Sequence, residues 1–254
     1  MRIRIRPRAE GGAARRRRLR LIGTLGTALL AVAVPMFASG AAQAATGTYT
    51  SFGVADWDAD GHQDIVTRNN GTSDLWLYPG EGHRGYSAQA PVKIGNGWGG
   101  YTPFGVADWD GDGHKDIIVR NDTTADLWLY PGEGHRAYSW QTPVKIGNGW
   151  NGYTPFGVAD WDGDGHQDIV VRNDTTNDLW LYPGEGVRGY SWQTPVKIGN
   201  GWGGYTPFGL ADWDSDGHQD IIVRNDTTAD LWLYPGEGHR GYSWQAPVKI
   251  GNGW

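Results

Sequence analysis

The chain is predicted to be all-β, a β-propeller of four blades of about 52 residues, each a four-stranded sheet. Three observations lead there. Phe52, Phe104, Phe156 and Phe208 open the same passage, so the sequence repeats with a period of 52 residues. Residues 104–150 and 208–254 differ at five of 47 aligned positions, so the units must adopt one local structure. The 254 residues include 41 Gly and 15 Trp but no Cys, which suits short strands and tight turns and excludes disulfides and thiolate chemistry.

The second unit shows the elements in order. Pro103 to Trp109 reads as a first strand that ends in an Asp-rich loop. Asp116 to Arg120 is a β-branched second strand, and Asn121-Asp122-Thr123-Thr124 is a turn. In the third strand, Asp126 to Tyr130, Leu127 and Leu129 take one face and Trp128 and Tyr130 the other. Pro131-Gly132-Glu133-Gly134 breaks it, and Tyr138 to Ile146 contains the fourth strand. Because both faces of the third strand are apolar or aromatic, a unit must pack between two neighbours. The units span about 47–98, 99–150, 151–202 and 203–254. They can form a four-bladed ring, or an arc completed by oligomerisation.

Residues 1–44 have a different character. They carry nine Arg and one Glu, then an apolar stretch from Leu21 to Phe37, then Ala42-Gln43-Ala44. A basic start, an apolar middle and a small-x-small end describe a secretory signal peptide, leaving a repeat domain at 45–254. The expected location is therefore extracellular, with no membrane span after cleavage. Without the leader the chain holds 13 basic and 27 acidic residues, a net charge of −14. That balance argues against nucleic acid as a partner.

The acids are concentrated. Each unit contains Asp-Trp-Asp-x-Asp-Gly-His-x-Asp: Asp56, Asp58, Asp60, His62 and Asp64; Asp108, Asp110, Asp112, His114 and Asp116; Asp160, Asp162, Asp164, His166 and Asp168; Asp212, Asp214, Asp216, His218 and Asp220. These loops hold 16 of the 27 acids, and the remainder is near neutral with 11 acids and 13 bases. Four carboxylates within nine residues repel one another unless a cation sits among them. An all-oxygen set in a flexible loop suits Ca²⁺, with about one ion per unit and four per chain. The Gly at position six permits the sharp turn, and the His at position seven is expected to offer its backbone carbonyl. The loop is not an EF-hand, because position 12 is Thr67, Val119, Val171 or Val223 instead of Glu.

The passage Phe-Gly-Val-Ala-Asp-Trp-Asp-Gly-Asp-Gly-His-x-Asp-Ile resembles the FG-GAP/VCBS repeats, the blade type also found in integrin α-subunit propellers. Leu-Trp-Leu-Tyr-Pro-Gly-x-Gly and Ile-Gly-Asn-Gly-Trp resemble versions in secreted actinobacterial proteins. The resemblance implies calcium between the first two strands of each blade. It also implies adhesion, carbohydrate or protein binding, or attachment to exported enzymes.

The expected function is a secreted calcium-binding module that holds a glycan or extracellular protein at several similar sites. A structural envelope protein without a specific ligand is the alternative. A hydrolase is disfavoured, because catalysis needs one asymmetric constellation and the candidate groups (Ser139, His114 and Asp116, for example) recur in each unit. Trp76, Trp128, Trp180 and Trp232 are expected to pack between blades. Trp140, Trp192 and Trp244, at the start of the fourth strand, are expected to pack in the core, with sugar recognition as the alternative, and the first unit has Ala88 at their position. The Glu-Gly-His-Arg segments at 81–84 and 133–136 read as surface turns.

Overall fold

The computed structural model describes residues 48–85 and 87–254. The expected signal peptide lies outside the described residues. The first blade comprises β1 (Tyr49–Ala55), β2 (Asp64–Asn69), β3 (Asp74–Tyr78) and β4 (Val92–Gly95). The second has β5 (Tyr101–Ala107), β6 (Asp116–Asn121), β7 (Asp126–Tyr130) and β8 (Val144–Gly147). The third has β9 (Tyr153–Ala159), β10 (Asp168–Asn173), β11 (Asp178–Tyr182) and β12 (Val196–Gly199). The fourth has β13 (Tyr205–Ala211), β14 (Asp220–Asn225), β15 (Asp230–Tyr234) and β16 (Val248–Gly251). Each blade is an antiparallel sheet in sequence order, and together they form a four-bladed β-propeller in which β1 packs on β5, β5 on β9 and β9 on β13, while among the described residues the first and fourth blades are not packed on each other in that way.

Local chemistry sets these boundaries. The fourth strand of the second blade begins only at Val144, after Pro143, whose ring removes a ladder donor. The turn between β6 and β7 is closed by Asn121, whose Oδ1 accepts the amides of Thr123 at 3.0 Å and Thr124 at 3.1 Å. The first strand carries a bulge between Pro103 and Gly105, which leaves Phe104 outside the regular pairing. At the bulge a Cβ on Gly105 would lie 3.0 Å from Val158 of the next blade, so the inner strands approach too closely for a side chain there.

The core lies between blades. The second blade supplies Phe104, Trp109, Leu127, Leu129, Ile146 and Trp150, and the third answers with Ile169 and Val171. Trp180 and Tyr182 of the third blade pack on the same cluster, as expected for the opposite face of its third strand. Trp150 packs on Tyr182 with ring centroids 4.6 Å apart and planes tilted by 50°, and the Tyr182 and Tyr153 hydroxyls meet at 3.3 Å. Arg172 extends the pattern to the fourth blade: its Nη1 donates to Trp202 O at 3.1 Å and to Tyr205 O at 2.9 Å, crossing the boundary.

Trp140, Trp192 and Trp244 correct the expectation of core packing. They sit in the loop before the fourth strand and are 86–88% exposed. The loop holds them outward, because the Trp140 amide donates to Glu133 Oε1 and the Trp192 amide to Glu185 Oε1, both at 3.2 Å.

Since stability resides at blade interfaces, Leu129→Ala, at a fully buried site, is expected to cost about 2–5 kcal/mol. Urea unfolding followed by tryptophan fluorescence checks it, and a loss below about 1 kcal/mol would contradict the packing described.

Candidate metal centre

The acidic loop of the second blade leaves β5 at Ala107 and re-enters the sheet at Asp116. Asp116 is fully buried. Its Oδ2 accepts the Trp109 amide at 3.0 Å, and its Oδ1 accepts the Gly132 amide at 2.9 Å. One carboxylate thus closes its own loop and anchors the loop that follows β7. Asp64, Asp168 and Asp220 make the same pair of bonds in their blades.

The rest of the loop winds around its own carboxylates. The Gly113 amide donates to Asp108 Oδ2 at 3.1 Å, the Asp112 amide to Asp110 Oδ1 at 3.1 Å, and the His114 amide to Asp112 Oδ1 at 2.9 Å. Gly113 has φ 92°, a conformation that favours glycine, and this supplies the turn expected at position six.

In each blade three carboxylates converge, with one oxygen from each within 4.8 Å of the others. The groups are Asp56, Asp58 and Asp64; Asp108, Asp110 and Asp116; Asp160, Asp162 and Asp168; Asp212, Asp214 and Asp220. The fourth aspartates, Asp60, Asp112, Asp164 and Asp216, stand outside these triads. The histidine rings of His62, His114, His166 and His218 do not join them either. Each ring covers a glycine of the following loop; a Cβ on Gly134 would lie 2.5 Å from His114 Nδ1. Asp116 and His114 are not hydrogen-bonded to each other among the described residues, so Asp116 does not orient that ring as a triad would.

The donor set fits a hard cation. Asp56, Asp108 and Asp160 each keep one buried Oδ1 without any hydrogen-bond partner, an expensive arrangement unless a cation accepts it. These oxygens belong to the same triads. The residues that would hold a calcium ion in the second blade are Asp108, Asp110 and Asp116.

An arginine stands over each of the first three loops, a contact not expected from the sequence. Arg188, from the third blade, donates through Nη2 to Asp112 at 2.6 Å and through Nε to Asp110, while its Nη1 bonds Gln141. Arg136 does the same for Asp58, Asp60 and Gln89, and Arg240 for Asp162, Asp164 and Gln193. The acidic loops of the first three blades are thus each clamped by the following blade. The signal was an Arg at the 52-residue period: Arg84, Arg136, Arg188 and Arg240.

A family model for the FG-GAP-like repeat matches residues 56–119, 108–171 and 160–223. The chain belongs to the FG-GAP-like repeat family. Each matched stretch runs from the first Asp of one acidic loop past the last Asp of the next, so each FG-GAP-like match opens and closes on a carboxylate triad. No curated protein matches the chain.

Without a cation, burial pushes the Asp116 and Asp168 carboxyls up to about 7, against the lowering effect of the Gly132 and Gly184 amides. Burial raises Asp64 in the same direction. The folded chain therefore keeps protons that the unfolded chain releases near 3.8, and stability falls as pH climbs from there through about 7. In excess chelator the melting temperature is expected to be lower at pH 8 than at pH 5. Calcium should narrow or reverse that difference, because it replaces the protons. A chelated protein that gains stability over this range would contradict the buried-carboxylate account.

Proposed function

We propose that this chain is a secreted calcium-binding module that holds a glycan at repeated sites between its blades. The observation that carries the reading is that three equivalent inter-blade pockets each lie beside one of the three tryptophans that are 86–88% exposed. A pocket of 310 Å³ lies between the second and third blades, lined by Trp109, Trp150, Tyr182, Tyr190, Ser191 and Gln193. Its equivalents measure 240 Å³ between the first two blades and 170 Å³ between the last two. Beside each lies one outward tryptophan: Trp140 follows the lining residue Ser139, Trp192 follows Ser191 and Trp244 follows Ser243.

A sugar ring offers apolar C–H faces and a rim of hydroxyls. Aromatic walls with a few hydroxyl, amide and backbone groups are its natural complement. These volumes are at or below the lower end of drug-sized sites, about 300–1,000 Å³, which favours one sugar residue per pocket. The first blade supports the assignment by contrast. It has Ala88 where the others have Trp, and the three pockets fall at the first-to-second, second-to-third and third-to-fourth blade boundaries, beside Trp140, Trp192 and Trp244.

Calcium contributes indirectly on this reading. It would neutralise the triads that hold the loop after each third strand, and that loop presents the tryptophan. Equivalent sites on one rigid frame suit multivalent capture and give no asymmetric constellation for catalysis.

A glycan array probed with the full chain, with and without chelator, tests the reading. Calcium-dependent binding to a defined terminal sugar is expected. Replacing Trp140, Trp192 and Trp244 together by Ala should weaken each site about five- to tenfold, the ~1–1.4 kcal/mol of one aromatic platform. An array with no bound glycan in either condition would remove the proposal.

A further inference from the structure

The three blade interfaces share one plan, and both ends of the stack hold half of it. Each blade presents a leading set of Phe, two Trp and the acidic loop to its successor. The successor answers with a receiving set of Val or Leu, Ile, two Tyr and an Arg. In the first interface these are Phe52, Trp57, Trp98, Asp58 and Asp60 against Val106, Ile117, Tyr101, Tyr130 and Arg136.

On the fourth blade the leading set has no answer. Phe208 is 53% and Trp213 54% exposed, whereas Phe104 and Trp109 are each 4% exposed. Trp254 touches Phe208, but among the described aromatic contacts it has no tyrosine pair like the one around Trp150. Asp214 and Asp216 have no arginine among the described salt bridges, although their three counterpart loops each have one. On the first blade the receiving set is equally bare. Ile65 is 49% exposed where Ile117 is 2%, and Val54 is 61% exposed.

The backbone carries the same asymmetry. A Cβ on Gly53, Gly105 or Gly157 would lie 3.0 Å from Val106, Val158 or Leu210 of the next blade, while one on Gly209 would meet nothing within 4 Å. The seat that Val54 would fill is vacant, and Val54 is bare.

We propose that a second copy of this chain docks head to tail, its first blade on the fourth blade of its partner. Val54 and Ile65 of the second copy cover Gly209, Phe208 and Trp213. Tyr49 and Tyr78 of the second copy flank Trp254, as Tyr153 and Tyr182 flank Trp150. Arg84 of the second copy clamps Asp214 and Asp216, completing the fourth acidic loop in the manner of the other three. The contact continues an interface that the chain already makes three times, with matched charge and matched apolar shape. Such a contact is heterologous and must either close or polymerise. Propellers typically hold four to eight blades; one copy leaves both end faces bare, two copies reach eight, and three exceed the range. The assembly is a dimer of eight blades. Ala88 then marks the closing interfaces as structural ones, without the exposed tryptophan of the others.

Sedimentation equilibrium of the full chain in calcium tests this, with twice the single-chain mass expected. Ile65→Lys disables the receiving face and Phe208→Lys the leading face, so each variant alone should fall twofold in mass to a monomer. Mixed in equal amounts, the two should re-form a dimer through the one intact pair of faces. A monomeric parent chain would overturn the proposal, as would a folded Ile65→Lys that keeps its dimer mass or variants that fail to reassociate. Circular dichroism establishes that the variants are folded, and Val54→Lys replaces Ile65→Lys if the latter is not.

Discussion

Desolvation of one carboxylate per blade is the constraint on which this structure turns. Asp64, Asp116, Asp168 and Asp220 have no exposed surface, yet each begins a strand at the edge of a loop crowded with further aspartates. Two backbone amides satisfy each buried carboxylate, one from its own loop and one from the loop after the third strand. That arrangement fixes both loops at once. It also brings two more carboxylates within reach, which a buried anion tolerates poorly unless positive charge is near. In the first three blades the structure supplies part of that charge as an arginine from the following blade. The rest is the chemical case for a divalent cation.

The same geometry couples the ion site to the surface. The amide of Gly132 is held by Asp116, and Glu133, next along the chain, holds the amide of Trp140. The route from the acidic loop to the exposed tryptophan thus passes through three residues of backbone and two carboxylate–amide bonds. Gln141 ends the same loop, with its amide nitrogen on Gly132 O at 2.8 Å and its oxygen on Arg188. The loop is therefore positioned from both sides, and by two blades.

Much of this was legible in the sequence because the repeat multiplies weak signals. The 52-residue period, the four strands per unit and the two apolar faces of Asp126–Tyr130 all follow from spacing and alternation. The carboxylate motif was equally plain. Three features were not. Trp140, Trp192 and Trp244 look like core residues by type, and only the Glu133 bond to the loop backbone explains why they face outward. Arg136, Arg188 and Arg240 lie about 78 residues from the aspartates they contact, so no local pattern links them. The half-interfaces at the two ends were also beyond sequence patterning, since Phe208 and Phe104 occupy identical motifs and differ only in what stands next to them.

The most direct test of the central claim is the number of ions the protein holds. Equilibrium dialysis of the purified full chain against radioactive calcium, with magnesium as competitor, reads it. Four carboxylate triads, each built on one buried aspartate, predict about four calcium ions per chain, retained against excess magnesium. A chain that binds none, or that holds magnesium as readily, would contradict the reading of these loops as calcium cages.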